Sequence, residues 1–288
     1  LSPTYFTPEY FDYIVVDEFH HVAAQSYQNV VNYFKPRFLL GLTATPFRMD
    51  NQDIFQFCED NVVYEINLHE AINKDYLAPF HYYGVYDDTT DYATVQMANG
   101  RYVTEQLERA LSTRARADLI LKRYREYRSE RALAFCSGIK HANYMTQFFK
   151  EHGISAVAVH SGEGPFAMER NMALEALRAG SVEIIFSVDQ FNEGVDVPEV
   201  DLVMFLRPTE SYTIFLQQLG RGLRKAPGKT HLTVLDFIGN YKRAHLIPLI
   251  LQGGNPQREE DFSYRRRDLS GEVAEGCSLN FDMRLLDV

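Results

Sequence analysis

With 288 residues, 45% hydrophobic and 24% charged, the chain has the composition of a soluble globular protein and room for about two domains. A formal charge of −10 argues against a protein that grips nucleic acid by diffuse positive potential, so any such binding has to rest on local contacts. Three scattered cysteines, Cys58, Cys136 and Cys277, fit neither a disulfide framework nor a zinc site and suit a reducing, cytoplasmic setting, and neither a membrane-spanning apolar run nor a secretory leader is visible.

Short β-branched apolar runs alternate with amphipathic stretches, the pattern of a parallel α/β architecture. Tyr13–Val16 and Phe38–Leu42 read as buried strands, with a helical pattern from about Val22 to Phe34 between them. A weaker strand is expected at Val62–Ile66. The pattern breaks around Tyr76–Pro79, which sets a first domain over 1–77 and a second over 78–250. In the second, strands are expected near His81–Tyr86, Ala132–Cys136, Ala156–His160, Glu183–Ser187, Leu202–Leu206 and His231–Asp236. The longest helix is expected from about Thr104 to Arg128. That suffices for one complete doubly wound sheet; the first stretch holds too few strands and reads as the back half of another. A polar, breaker-rich stretch after about Gln252 predicts a linker. Gly276–Phe281 then reads as a strand that begins a further domain, so 251–288 stands apart.

Asp17-Glu18-Phe19-His20 follows the first strand directly. Ligands of open parallel sheets bind beyond the carboxyl ends of the strands. Two adjacent carboxylates there can divide the work of phosphoryl transfer, one holding Mg²⁺ through water and one orienting or deprotonating the attacking water. Alone, the pair reads first as two solvated loop acids. Thr43-Ala44-Thr45-Pro46 leaves the next strand and supplies small hydroxyls to the same end of the sheet.

Later in the chain, Gln217-Gln218-Leu219-Gly220-Arg221-Gly222-Leu223-Arg224 places two arginines three apart, pointing the same way from a helical or near-helical turn. Their planar donor forks suit phosphate oxygens, and the two glycines allow close backbone approach. Ser187 through Pro198 leaves another strand, with Gly194 permitting a tight path and Asp196 able to accept from a ribose hydroxyl. Ser187, Ser137-Gly138 and His160-Ser161-Gly162 stand at strand ends where hydroxyls and amides can meet a nucleic-acid phosphate. Each of these is in isolation an ordinary cap or turn. Pro227-Gly228-Lys229-Thr230 imitates the end of a Walker A loop, but Leu223 stands where the first glycine belongs and a strand follows. It reads as a hairpin-like turn. The basic residues between Arg101 and Arg131 read first as a solvated helix face, and His20-His21 lacks the spaced partners a metal needs.

In this order the segments resemble superfamily II helicases and translocases. Asp17–His20 is similar to motif II (DEXH), Thr43-Ala44-Thr45 to motif III and Ala134–Gly138 to motif IV. Ser187–Pro198 is similar to motif V and Gln217–Arg224 to motif VI. Phe205–Glu210 and Leu235–Asn240 resemble restriction-type members, kin to type I and type III restriction motor subunits and XPB-like repair translocases. The resemblance covers roughly Tyr13 to Asn240 and implies two RecA-like parallel-sheet domains, the first incomplete, with ATP and Mg²⁺ as cofactors. It implies that Asp17 positions Mg²⁺ and Glu18 acts as general base, while His20, Thr43 and Thr45 couple the nucleotide site to the track. It implies further that Gln217, Arg221 and Arg224 face the γ-phosphate, with Gly194 and Asp196 near the ribose. Ser137, Gly138, His160 and Ser187 are the expected nucleic-acid contacts. DNA is the implied track, with RNA left open, and restriction or repair subunits are the implied partners.

Two departures stand out. Motif I, the Walker A loop, should precede motif II by many residues, and only sixteen residues precede Asp17. The expectation is a longer parent protein, with these 288 residues unable to hydrolyse ATP alone. Motif V has Ser187 where Thr is commoner, which keeps the hydroxyl. A non-catalytic nucleic-acid-binding or partner-binding module is the competing reading; a self-contained nuclease finds no carboxylate–lysine cluster.

Overall fold

The computed structural model describes residues 5–44, 54–98, 101–127, 129–191, 197–208, 212–238, 247, 251 and 273–282. The chain divides into two compact units, Leu1–Ile66 and Asn67–Val288.

In the first unit, β1 (Tyr13–Val16) pairs in parallel with β2 (Phe38–Gly41), Tyr13 opposite Phe38 and Val16 opposite Gly41. α1 (Gln25–Tyr33) crosses between them. It stops before Lys35-Pro36, since proline has no amide hydrogen to continue the ladder. A short 3-10 turn at Phe19–His21 follows β1 and drives Phe19 inward against Val22 and Ile54. β1 itself is half covered, with Tyr13 72% and Val15 60% exposed. The strand expected at Val62–Ile66 does not form: these residues pair with no strand among the described residues, and Val62, Val63 and Tyr64 are exposed.

The second unit opens with α2 (Leu68–Asn73), whose first turn is capped by Asn67 Oδ1 accepting the Glu70 amide at 2.8 Å. β3 (Phe80–Tyr86) follows, then the small antiparallel pair β4 (Met97–Ala98) and β5 (Arg101–Tyr102). Next come α3 (Thr104–Leu111), α4 (Arg114–Glu126), β6 (Ala132–Phe135), α5 (Ile139–Glu151), β7 (Ala156–Val159) and α6 (Arg170–Arg178). β8 (Ile184–Ser187), β9 (Leu202–Phe205), α7 (Tyr212–Gly222), β10 (Leu232–Ile238) and β11 (Ser278–Phe281) complete it. The seven-stranded sheet has the order β11-β3-β10-β9-β6-β8-β7, and every pairing in it is parallel.

β6, β7, β8 and β9 are buried at every position. That is why Ala-Leu-Ala-Phe, Ala-Val-Ala-Val and their neighbours are continuous apolar runs rather than alternating ones. α4 and α5 cover one face through Ala117, Ile120, Met145 and Phe149. α6 and α7 cover the other through Ala173, Leu177, Phe215 and Leu219. The adjacent strands β6 and β9 therefore send their following helices to opposite faces, which makes their carboxyl ends a topological switch point.

Three further expectations change. The helix from Thr104 is broken at Ser112-Thr113, where the Thr113 hydroxyl accepts the Arg116 amide and starts α4 afresh. β11 begins no further domain: it joins the same sheet beside β3, Ser278 opposite His81, with Ala274 in the core. The pattern break at residues 77–78 lies inside the second unit, because α2 already buries Ile72 in that unit's core. The polar stretch after Gln252 lies largely outside the described residues.

Candidate functional site

At the carboxyl end of β1 the backbone turns sharply. Glu18 takes a left-handed conformation, φ 50° and ψ 49°, which is rare for a side chain with a Cβ and is held only where the surroundings over-determine it. Its amide donates to Asp17 Oδ1 at 2.9 Å. Phe19 N–H then donates to Leu42 O at 2.8 Å, and Leu42 N–H to Val16 O at 2.9 Å, which locks the two strand ends together. The Phe19 ring lies flat on Gly41, so that a Cβ there would collide with ring carbons under 3 Å away.

This scaffold presents Asp17 exposed to solvent, Glu18 half-buried and His20 buried. His20 Nδ1 lies 3.4 Å from Glu18 Oε2 and 3.1 Å from Thr43 Oγ1. A protonated Nδ1 donates toward the carboxylate, whereas the other neutral tautomer accepts the Thr43 hydroxyl. The sequence-predicted Asp17, Glu18, His20 and Thr43 are thus brought to one end of one two-stranded sheet. Thr45 lies outside the described residues. An exposed carboxylate suits Mg²⁺, which keeps several waters and takes one or two carboxylates alongside substrate phosphates. Among the described residues, no group of three or more His, Cys, Asp or Glu could hold a metal by itself.

In the second unit, Gln217 and Gln218 are buried in α7. Arg221, in its last turn, and Arg224, two residues past its end, are half-buried. The two glycines of this segment have different surroundings. A Cβ on Gly222 would meet Leu232 at 2.7 Å and Val203 at 3.0 Å, so this glycine seats the helix end on the sheet; around Gly220 there is open space. Gly194 and Asp196 lie outside the described residues.

The predicted nucleic-acid contacts fare unevenly. Ser187 is fully buried as the last residue of β8, flanked by Phe135 and Val159, and a hydroxyl with no surface offers nothing to a solvated phosphate. Ser137 turns to the buried His141, its amide 3.3 Å and its Oγ 3.1 Å from Nδ1. Burial, with the Arg116 cation as a lesser cause, holds His141 well below its ordinary value, so it is neutral. The α5 N-terminus beside Gly138 already has its anion: Glu108 of α3 accepts the Lys140 amide at 2.9 Å. His160 takes the Gly162 amide on Nδ1 at 3.2 Å and meets Asn143 Oδ1 through Nε2 at 3.3 Å, which fixes the Nε2–H tautomer.

Sequence reasoning missed two further groups. Arg116 is fully buried, donating Nε to Asp87 at 2.7 Å and Nη2 to Leu206 O at 3.1 Å, and so ties the end of β3 to the end of β9 at the switch point. Burial pushes Asp87 upward, but the Arg116 guanidinium and the Thr89 and Thr90 hydroxyls outweigh it and leave the carboxyl below its ordinary value. Lys229, set aside as a false Walker lysine, sits in a tight turn with Gly228 at φ +83°. That turn leads from α7 to a parallel strand, so it is not a hairpin. Neither carried a local signal: Arg116 stands between Arg114 and Asp118, and Lys229 lies in a polar, breaker-rich turn.

The model of the type III restriction enzyme res subunit matches residues 2–48, and that of the helicase conserved C-terminal domain matches residues 115–226. The two domains together are consistent with a restriction-type helicase fragment of superfamily II. It is 28% identical to the Saccharomyces cerevisiae protein IRC3, described as an ATP-dependent helicase, over 78% of this chain and 34% of that protein. A fragment described as a type I restriction HsdR subunit from Vibrio vulnificus shares the fold at a TM-score of 0.64 and 22% identity, over 96% of this chain and 50% of that one. The DNA-bound type ISP restriction-modification enzyme LlaBIII shares it at 0.57 and 19%, over 96% and 22%. The chain spans half or less of the length of the first curated relatives it matches. Its fold is that of the RecA-like helicase domains.

Proposed function

We propose that the protein carrying this chain is an ATP-driven translocase or helicase acting on DNA. Asp17 would hold Mg²⁺ through water and Glu18 would serve as general base, and bound ATP with Mg²⁺ supplies the phosphoryl chemistry. The observation that carries the reading is Glu18, held in a left-handed turn at a strand end with its carboxylate 3.4 Å from a buried His20 that also meets Thr43. A carboxylate so placed is oriented before any water arrives, and its neighbour can pass a shift from one strand end to the next.

Arg221 and Arg224 supply planar donor forks for developing phosphate charge, with Gln217 beside them and Gly194 and Asp196 as the ribose contacts. DNA is favoured as the track by the restriction enzymes that share the fold, one of them solved on DNA. Restriction or repair subunits are the partners this reading implies, in the cytoplasm. The 288 residues contain no Gly-x-x-x-x-Gly-Lys-Ser/Thr string, and by themselves they are proposed not to turn over ATP.

The test is DNA-stimulated ATP hydrolysis by the full-length protein. Glu18→Gln should lower kcat by about 100-fold or more while ATP still binds. Arg224→Ala should cost about 1,000-fold with binding largely kept. Wild-type turnover in both variants would remove the reading, as would full-length protein that binds DNA but never hydrolyses ATP, which is the behaviour of a non-catalytic binding module.

A further inference from the structure

Lys229 has three N–H donors on its ammonium, and three backbone carbonyls converge on them: Pro198 O at 2.9 Å, Arg224 O at 3.1 Å and Gly222 O. Gly222 and Arg224 lie at the C-terminal end of α7, where carbonyls lose their helical amide partners and a cation is favoured by the helix dipole. Pro198 closes the segment that carries Gly194 and Asp196. The lysine's own backbone is fixed as well, its amide donating to Ala226 O at 3.1 Å beside the left-handed Gly228.

A compact ammonium can serve three carbonyls arriving from different directions; a planar guanidinium fork cannot. Lys229 is half-buried, and burial pushes it down to about 8, while Asp201 and Glu199 act the other way.

We propose that Lys229 is a positioning residue: it ties the end of α7, and with it Arg221 and Arg224, to Pro198, and so holds the two arginines in place. The inference rests on the phosphate role proposed above for the arginines. A lysine that merely capped α7 would change stability without a special relation to Arg224.

A double-variant cycle in the full-length protein separates the two, with DNA-stimulated ATP hydrolysis and thermal unfolding measured for wild type, Lys229→Met, Arg224→Ala and the pair. Lys229→Met should lower kcat about 10- to 100-fold, as expected when a catalytic group is displaced by about 1 Å, with KM for ATP within about three-fold and Tm held. On top of Arg224→Ala it should add less than about two-fold, because the group it positions is already gone. Wild-type kcat in Lys229→Met, or losses that multiply in the pair, overturn the proposal. If Met at 229 lowers Tm, Lys229→Gln, which keeps an N–H donor, goes through the same cycle under the same criteria. A wild type without DNA-stimulated hydrolysis overturns the function itself and the inference with it, whereas an active wild type matched by an active Lys229→Met overturns only the inference.

Discussion

Asp236 sits in the middle of β10 with no exposed surface, its Oδ2 accepting the Tyr82 hydroxyl at 2.8 Å from β3. Burial raises it from 3.8 to about 7, and the Tyr82 hydrogen bond offsets only part of that rise. An acid whose folded value is raised holds its proton in the native state where the unfolded chain has released it. Between about pH 4 and pH 7 the native state therefore binds more protons, and this group's contribution falls as pH rises through that window, then stays level. Asp236→Asn keeps an acceptor for Tyr82 and removes the titration. The variant's stability advantage should grow from near zero at pH 4 to on the order of 4 kcal/mol above pH 7. Denaturant titrations at half-unit pH steps would measure it, and a pH-independent gap would rule the account out. Nothing in Leu235-Asp236-Phe237 told which way the carboxyl faced. Its place between the apolar Leu235 and Phe237 was the available signal, and the partner Tyr82 is 154 residues away.

At the scale of elements, the Glu108 carboxylate shows how a nearby helix can take a place that looked reserved for a ligand. α5 begins at Gly138 without a side-chain cap of its own, and Glu108, itself buried, accepts the Lys140 amide instead. A Cβ at 138 would strike that carboxylate, which accounts for glycine there. Glu108→Ala should cost about 1–2 kcal/mol, the usual worth of a cap strengthened by a helix dipole, and Glu108→Gln less. Equal unfolding midpoints for wild type and Glu108→Ala would sink this reading. β6 to β9 were legible because strands buried on both faces are apolar throughout, and the gaps between them had the length of a helix. The break at Ser112-Thr113 was not, because helical periodicity runs on through it and only the Thr113 cap restarts the ladder. β11 was legible as a strand but not as a member of this sheet, since its partner β3 lies near the start of the unit. The carboxylates and arginines were legible as motifs in order. What Glu108, Arg116 and Lys229 do depends on contacts 32, 29 and 31 residues away, which no local pattern encodes.

The two units differ most in how much apolar surface each buries. In the second, both faces of a seven-stranded sheet are covered, and Ile184, Ile185, Phe186, Leu202, Val203 and Met204 have no exposed surface. In the first, a two-stranded sheet rests on a core of Phe19, Val22 and Ile54, with Tyr13 and Val15 largely exposed. A lone pair of strands is marginal in water, and each large apolar side chain fully buried adds about 1.5–3 kcal/mol of hydrophobic stabilisation. Local opening should therefore be far easier around Asp17 and Glu18 than around the central strands of the second unit. Hydrogen exchange of this chain, followed by mass spectrometry, should show amides of Tyr13–Val16 and Phe38–Gly41 exchanging at least about 100-fold faster than those of Ile184–Ser187 and Leu202–Phe205, a free-energy gap of about 3 kcal/mol. Equal protection in the two units would mean that the first is stabilised by something other than the core formed by Phe19, Val22 and Ile54.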